Sequence, residues 1–175
     1  PLDDPLCLAT EQRFEPVPKG QEASTDVWRM AVFMSPLDVH VNRAPSAGRI
    51  ERMEHRTGKG LRRGPFRPAY TKESEHNERV RSVHQLENGL RIEITQISGA
   101  LARTVVPYLY EGDTVRRGQR IGMIRFGSRV DLRVPAEAYT SSIITAEDKD
   151  KEHPKGMHVM AGSTVVFQEK QEEEE

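Results

Sequence analysis

The 175-residue sequence predicts a mainly β protein, a single β-rich sandwich or barrel-like domain with few short helices. Two observations carry that expectation. Apolar runs are short, closely spaced and stopped by Gly or Pro, the pattern of all-β folds. Leu90-Arg91-Ile92-Glu93-Ile94-Thr95-Gln96-Ile97 alternates apolar with polar residues, the period of a strand with one face in the core.

Residues 1–26 carry Pro1, Pro5, Pro16, Pro18 and Gly20 and read as an irregular N-terminal arm. Val27 to Met34 reads as a largely buried strand that Ser35-Pro36 stops. Arg49 to Glu54 alternates weakly, and the glycines and prolines between Gly58 and Pro68 mark a loop. Glu87-Asn88-Gly89 signals a hairpin turn into the 90–97 strand. Ala100 to Val106 is ambiguous in type and ends at Pro107. Arg120–Phe126 and Arg129–Val134 read as neighbouring strands around a break at Gly127-Ser128. A last strand pair is expected from Val159 to Phe167 around Ala161-Gly162. The main domain therefore spans 27–167, and the glutamate-rich residues 168–175 read as a disordered acidic tail.

Composition narrows the function classes. A net charge of −1 gives no global field for nucleic acid, and no nucleic-acid partner is expected. The single cysteine, Cys7, excludes an internal disulfide framework and a cysteine-rich zinc site. No apolar run reaches the ~20 residues of a membrane helix. No secretory signal opens the chain, and a start at Pro1 suggests a missing N-terminal piece. Between Arg43 and Arg67, eight Lys or Arg stand against two Glu, a local formal charge of +6 that suits an anionic lipid surface or a solvated loop equally. His55, His76, His153 and His158 show no metal-ligand spacing, and no metal is expected. His84, in a predicted strand, is a secondary candidate for a pocket lining.

The informative segment is Gly122-Met123-Ile124-Arg125-Phe126-Gly127-Ser128-Arg129-Val130-Asp131. A serine after glycine at a break between strands can attack the preceding carbonyl, because glycine bends there without a Cβ penalty. That attack would turn the amide into an ester, and elimination followed by hydrolysis would leave a pyruvoyl group on residue 128. By itself, however, Gly-Ser at a turn is commonplace.

Three further segments change its weight. Met34-Ser35-Pro36-Leu37-Asp38-Val39-His40-Val41-Asn42-Arg43-Ala44-Pro45 resembles the signature stretch of phosphatidylserine decarboxylases, in particular their shorter class without long N-terminal membrane helices. Lys72-Glu73-Ser74-Glu75-His76-Asn77-Glu78-Arg79 and Gln96-Ile97-Ser98-Gly99-Ala100-Leu101-Ala102-Arg103 resemble two more family segments, and Phe126 to Asp131 resembles the self-cleavage site. The four occur in family order.

The resemblance implies a carboxy-lyase of phospholipid biosynthesis, made as a zymogen and cut into residues 1–127 (β chain) and 128–175 (α chain). Its cofactor would be a pyruvoyl group derived from Ser128, whose carbonyl accepts the electrons released as carbon dioxide leaves phosphatidylserine. Ser128 and His40 are the implied catalytic residues, His40 as proton carrier. Gly127 and Ser128 form the cleavage site, and Arg43, Lys72, Asn77, Arg79 and Gln96 are candidates for substrate or lipid binding. The implied partners are phosphatidylserine in an anionic membrane, the chain's own cleaved fragment and a homodimer, with a peripheral place on the cytoplasmic side of the cell membrane. The family's Pro-Ala-Asp-Gly-like stretch, whose aspartate orients the histidine, has no match in residues 1–26, so slow self-cleavage is expected. Two rival expectations are a non-catalytic, uncleaved lipid-binding relative and a pyruvoyl decarboxylase of a soluble amino acid. Gly112 to Phe126 also resembles the turn-and-strand pattern of lipoyl-carrier-like β folds, a likeness of fold alone.

Overall fold

The computed structural model describes residues 9–10, 13–14, 27–56, 77–99, 104–125, 127–143 and 158–171. Two short strands, β1 (Ala9–Thr10) and β2 (Arg13–Phe14), pair within the N-terminal arm. The main sheet has six strands in the order β3 (Val27–Met34), β11 (Ser128–Pro135), β7 (Arg91–Ile97), β6 (Arg79–Leu86), β5 (Gly48–Arg56) and β9 (Thr114–Val115). A second sheet sets β10 (Arg120–Ile124) between β4 (Val41–Arg43) and β8 (Val105–Pro107). The last pair is β12 (Tyr139–Ser141) with β13 (Phe167–Glu169). All strand pairs are antiparallel, and no helix occurs among the described residues, so the few short helices expected have no counterpart there.

Strand alternation divides the main sheet into two unlike faces. One carries Ile92 and Ile94 of β7, Leu86 of β6, and Leu132 and Val134 of β11, packed with Ala44, Val115 and Ile121. Val80, Val105 and Ile124 close a smaller cluster at the other end of the same face, with Met34 and Val130 against it. The two sheets thus make a sandwich, and its core lies between them.

The opposite face is charged and still buried. Asp131 accepts from Arg29 at 2.7 Å and from Arg129 through both carboxylate oxygens at 2.6 and 2.7 Å. Glu93, fully buried, meets Arg133 and Arg81 and accepts from the Thr95 hydroxyl at 3.2 Å. Burial alone would raise the Asp131 pKa, but Arg129 and Arg29 hold it below the ordinary carboxylate value. The alternation of residues 90–97 is therefore real, while the expected half-buried strand is not: Ile92 through Ile97 are all buried.

Several boundaries need correction. Val27–Met34 is an edge strand with Ala31 and Phe33 exposed, since only β11 pairs with it. The strands flanking the Gly127-Ser128 break are not hydrogen-bonded neighbours but lie in different sheets. The expected pair from Val159 to Phe167 reduces to a turn, with Gly162 at φ 77°. The strand comes later, at Phe167–Glu169, where Lys170 N–H donates to Ala138 O at 2.9 Å and the Tyr139 hydroxyl donates to Glu169 at 3.2 Å. Regular structure thus enters the expected tail at Gln168 and Glu169. The basic stretch is likewise half strand: Arg49, Arg52 and Arg56 belong to β5, and residues 57–76 lie outside the described ones.

A polar tie joins the two sheets near the cleavage junction. Gln96 Nε2 donates to Asn42 Oδ1 at 2.7 Å, and Gly122 leaves the room for it. A Cβ at 122 would stand 2.7 Å from Gln96 Nε2 and 3.0 Å from the Val106 carbonyl oxygen. Gly122→Ala is therefore expected to destabilise the fold by about 1–3 kcal/mol, read as a lower urea midpoint at unchanged slope.

Candidate self-processing site

The site forms where β3 ends and β11 begins. Ser128 pairs with Met34, so the turn that follows Met34 starts beside the break. Within that turn Asp38 N–H donates to Ser35 O at 3.0 Å, and Ser35 N–H donates to the Asp38 carboxylate at 2.6 Å. The Ser35 amide and hydroxyl together hold the exposed Asp38 carboxyl below its usual pKa. His40 closes the turn, and its carbonyl accepts from Ile124 N–H at 3.1 Å, which anchors it to the second sheet.

The imidazole makes two contacts that fix its tautomer. Nδ1 lies 2.7 Å from the Asp38 main-chain carbonyl oxygen, which can only accept, so Nδ1 carries the hydrogen. Nε2 then offers its lone pair, and Gly127 N–H donates to it at 3.1 Å. The family's aspartate has no match in residues 1–26, and the group on His40 Nδ1 here is a peptide carbonyl. Sequence patterns of acidic side chains carry no signal for it.

Gly127 has φ 60°, in the left-handed region that glycine enters without a Cβ penalty. Ser128 is 1% exposed, and its Oγ has no hydrogen-bond partner among the described residues. Beside it, one residue beyond the Arg129–Ile97 rung, lies Ser98, also fully buried with an orphaned Oγ. A buried hydroxyl without a partner costs about 1–3 kcal/mol, so two such groups next to a left-handed glycine mark a place where polar chemistry is withheld from water.

The other candidates scatter. Asn77 is buried and donates to the Ser98 carbonyl oxygen at 2.7 Å, placing it one step from the junction. Gln96 is buried in its tie to Asn42. Arg43 is exposed and donates to Gly118 O at 2.8 Å. Arg79 is buried and pairs with Ile97, on the charged face away from Ser128. Lys72 lies outside the described residues. Asn42, Ser98 and Gly122 were missed as individual residues, although the first two fall within the family-like segments.

His84 does not line this site. It pairs with Ile92, at the far end of β7 from Ile97, and its Nε2 lies 2.9 Å from the Ser82 hydroxyl.

A serine hydroxyl out of reach of water, a left-handed glycine before it and a histidine nitrogen on that glycine's N–H define a junction equipped for attack on its own backbone. Residues 8–167 match the family model of phosphatidylserine decarboxylase, and the chain belongs to that family. It is 56% identical over 107 residues to the phosphatidylserine decarboxylase proenzyme of Streptomyces griseus, covering 61% of this chain and 46% of that protein. The proenzyme of Erythrobacter litoralis is 43% identical over 138 residues, covering 79% and 49%. A putative archaetidylserine decarboxylase proenzyme of Methanopyrus kandleri is 43% identical over 141 residues, covering 81% and 58%. The chain spans about half the length of the curated relatives it matches. No solved structure matches it.

One prediction follows from His84. Burial lowers its pKa to about 4, from 6.5 in an open chain. Below 6.5 the unfolded state takes up a proton that the folded state refuses, so stability falls as the pH drops from 6.5 to 4. The loss approaches about 3 kcal/mol at the lower end. Asp131 contributes only below its ordinary value of 3.8, outside that window. Urea midpoints followed from about pH 7 to about pH 4 should fall in the parent chain and stay flatter in His84→Leu.

Proposed function

We propose that the chain cleaves itself between Gly127 and Ser128, and that the protein so formed decarboxylates the serine headgroup of phosphatidylserine to give phosphatidylethanolamine. One observation carries the reading: Gly127 is left-handed and donates to His40, while the Ser128 hydroxyl sits buried with no partner among the described residues. The names of the relatives, all decarboxylase proenzymes, support it.

The steps at the junction balance within the chain. His40 Nε2 releases the Gly127 N–H and takes the Ser128 hydroxyl proton. Oγ attacks the Gly127 carbonyl carbon, the C–N bond breaks, and the nitrogen of residue 128 takes a proton, giving an ester. Removal of the Ser128 α-proton then breaks the Cβ–O bond and frees the Gly127 carboxylate. Water replaces the nitrogen of residue 128, ammonia leaves, and a pyruvoyl group remains at the head of β11. The place fits such a group, being small, buried and lined by the orphaned Ser98 hydroxyl. Once formed, the group would supply a carbonyl electron sink for loss of carbon dioxide. His40, with Nδ1 held by Asp38, would then return a proton to the substrate carbon.

A bacterial and an archaeal relative, each 43% identical, carry different lipid names that share a serine. The reading therefore fixes the headgroup and leaves the lipid tails open. We place the protein at the cytoplasmic face of an anionic membrane as a peripheral enzyme, where the basic residues of 43–67 would face acidic headgroups. No helix among the described residues is long and apolar enough to cross a membrane.

Denaturing intact-mass measurement tests the cleavage. The parent chain should yield residues 1–127 and 128–175, which still co-purify in native buffer. Ser128→Ala should remain one chain, since alanine has neither nucleophile nor leaving group. His40→Ala should slow cleavage by about 10²–10⁴, the usual value of general-base help. Two fragments from Ser128→Ala would move the cut elsewhere and defeat the assignment.

A further inference from the structure

The turn that carries His40 also carries the most exposed aliphatic side chain of the described residues. Leu37 is 97% exposed and Val39, next to the histidine, is 64% exposed. Exposed aliphatics are ordinary when single. Two on one turn, beside a buried junction, call for an occupant. The turn is not loose: the Ser35–Asp38 bonds close it, and the His40 carbonyl ties it to Ile124. Its one acidic group, Asp38, is turned back onto the Ser35 amide, which leaves the aliphatic side chains outermost.

We propose that Leu37 and Val39 form a wedge that enters the headgroup and acyl boundary of a phospholipid bilayer and sets the site mouth against the membrane. The proposal rests on the reading of the substrate as a membrane lipid. A lipid whose tails stay in the bilayer can deliver its headgroup amine to Ser128, 1% exposed, only if the mouth abuts the surface. The turn bearing His40 is the exposed element in contact with that junction, through Nε2 on the Gly127 N–H. A closed, convex turn with internally bonded ends suits such an interface, because backbone groups left unmatched there are costly. Exposed Arg125, one strand end away beside the same junction, adds a cation facing anionic headgroups. This wedge differs from the basic 43–67 stretch in its physics. Apolar insertion resists salt, whereas attraction of basic residues to anionic lipid is screened within about 10 Å at ~0.1 M salt.

The test uses the full chain and vesicles of phosphatidylcholine with and without phosphatidylserine. Leu37→Trp should show blue-shifted emission, and quenching by bromine-labelled acyl chains, on adding vesicles; Trp28 alone sets the baseline. Leu37→Asp with Val39→Asp should weaken co-sedimentation about tenfold or more at both low and high salt. Substitution at side chains this exposed removes little packing, and an unchanged thermal melt checks folding. Unaltered Trp emission, or unaltered sedimentation of the double variant, overturns the wedge. Concentration-dependent self-association of the parent chain that the double variant abolishes, without vesicle binding, also overturns it and assigns the turn to a second copy. Cleavage is scored separately by intact mass, so vesicle insertion by a chain that never cleaves defeats the proposed reaction and not the wedge.

Discussion

The register between β3 and β11 is the constraint on which the site depends. It runs unbroken from Ser128 opposite Met34 to Pro135 opposite Val27. Because side chains alternate, a slip by one residue would turn Ser128 to the charged face and drive Arg129 and Asp131 into the apolar core. It would also carry the Ser35–His40 turn away from Gly127. The placing of nucleophile and histidine is thus decided by the pairing of two whole strands, and the local turn only completes it.

What holds that register is unusual for its chemistry. On one face Leu132, Val134, Ile92 and Ile94 supply ordinary core packing. On the other, Asp131 and Glu93 knit β11 to β3, β7 and β6 through Arg29, Arg81, Arg129 and Arg133. Buried ion pairs contribute little net stability, yet breaking one by removing a partner costs about 3–5 kcal/mol. A misregistered sheet would break several at once. Such a face discriminates between pairings more than it strengthens the correct one.

Much of this was legible in the sequence, and the reasons for the gaps are physical. Strands β3, β7, β10 and β11 stand where periodicity and Gly or Pro stops placed them, within about two residues. The family-like segments singled out His40 and Gly127, which the fold brings into contact. Alternation could not tell that the polar face of β7 is buried, because that depends on arginines from strands far along the chain. The run from Val159 to Phe167 suggested a strand pair that does not form. Instead, polar Gln168 and Glu169 pair with β12, held by Tyr139 and by the Lys170–Ala138 backbone bond. The orientation of His40 by the Asp38 carbonyl has no sequence signature, since every residue owns a carbonyl.

The topology also bears on the proposed cut at Gly127-Ser128, which would release no strand from its ladder. The broken bond links β10 in one sheet to β11 in the other, and these strands share no ladder. Strand β10 remains bonded to β4 and β8, and β11 to β3 and β7, all upstream of the cut. Every strand contact of β11 in the main sheet is therefore a contact between the two future fragments. The apolar clusters cross the cut as well, through Leu132 and Val134 in one and Val130 beside Ile124 in the other. The proposed cut would leave the new end of β11 where Ser128 already is, opposite Met34 and beside Ser98. The chemistry of residue 128 would then change while the ladder around it stays fixed.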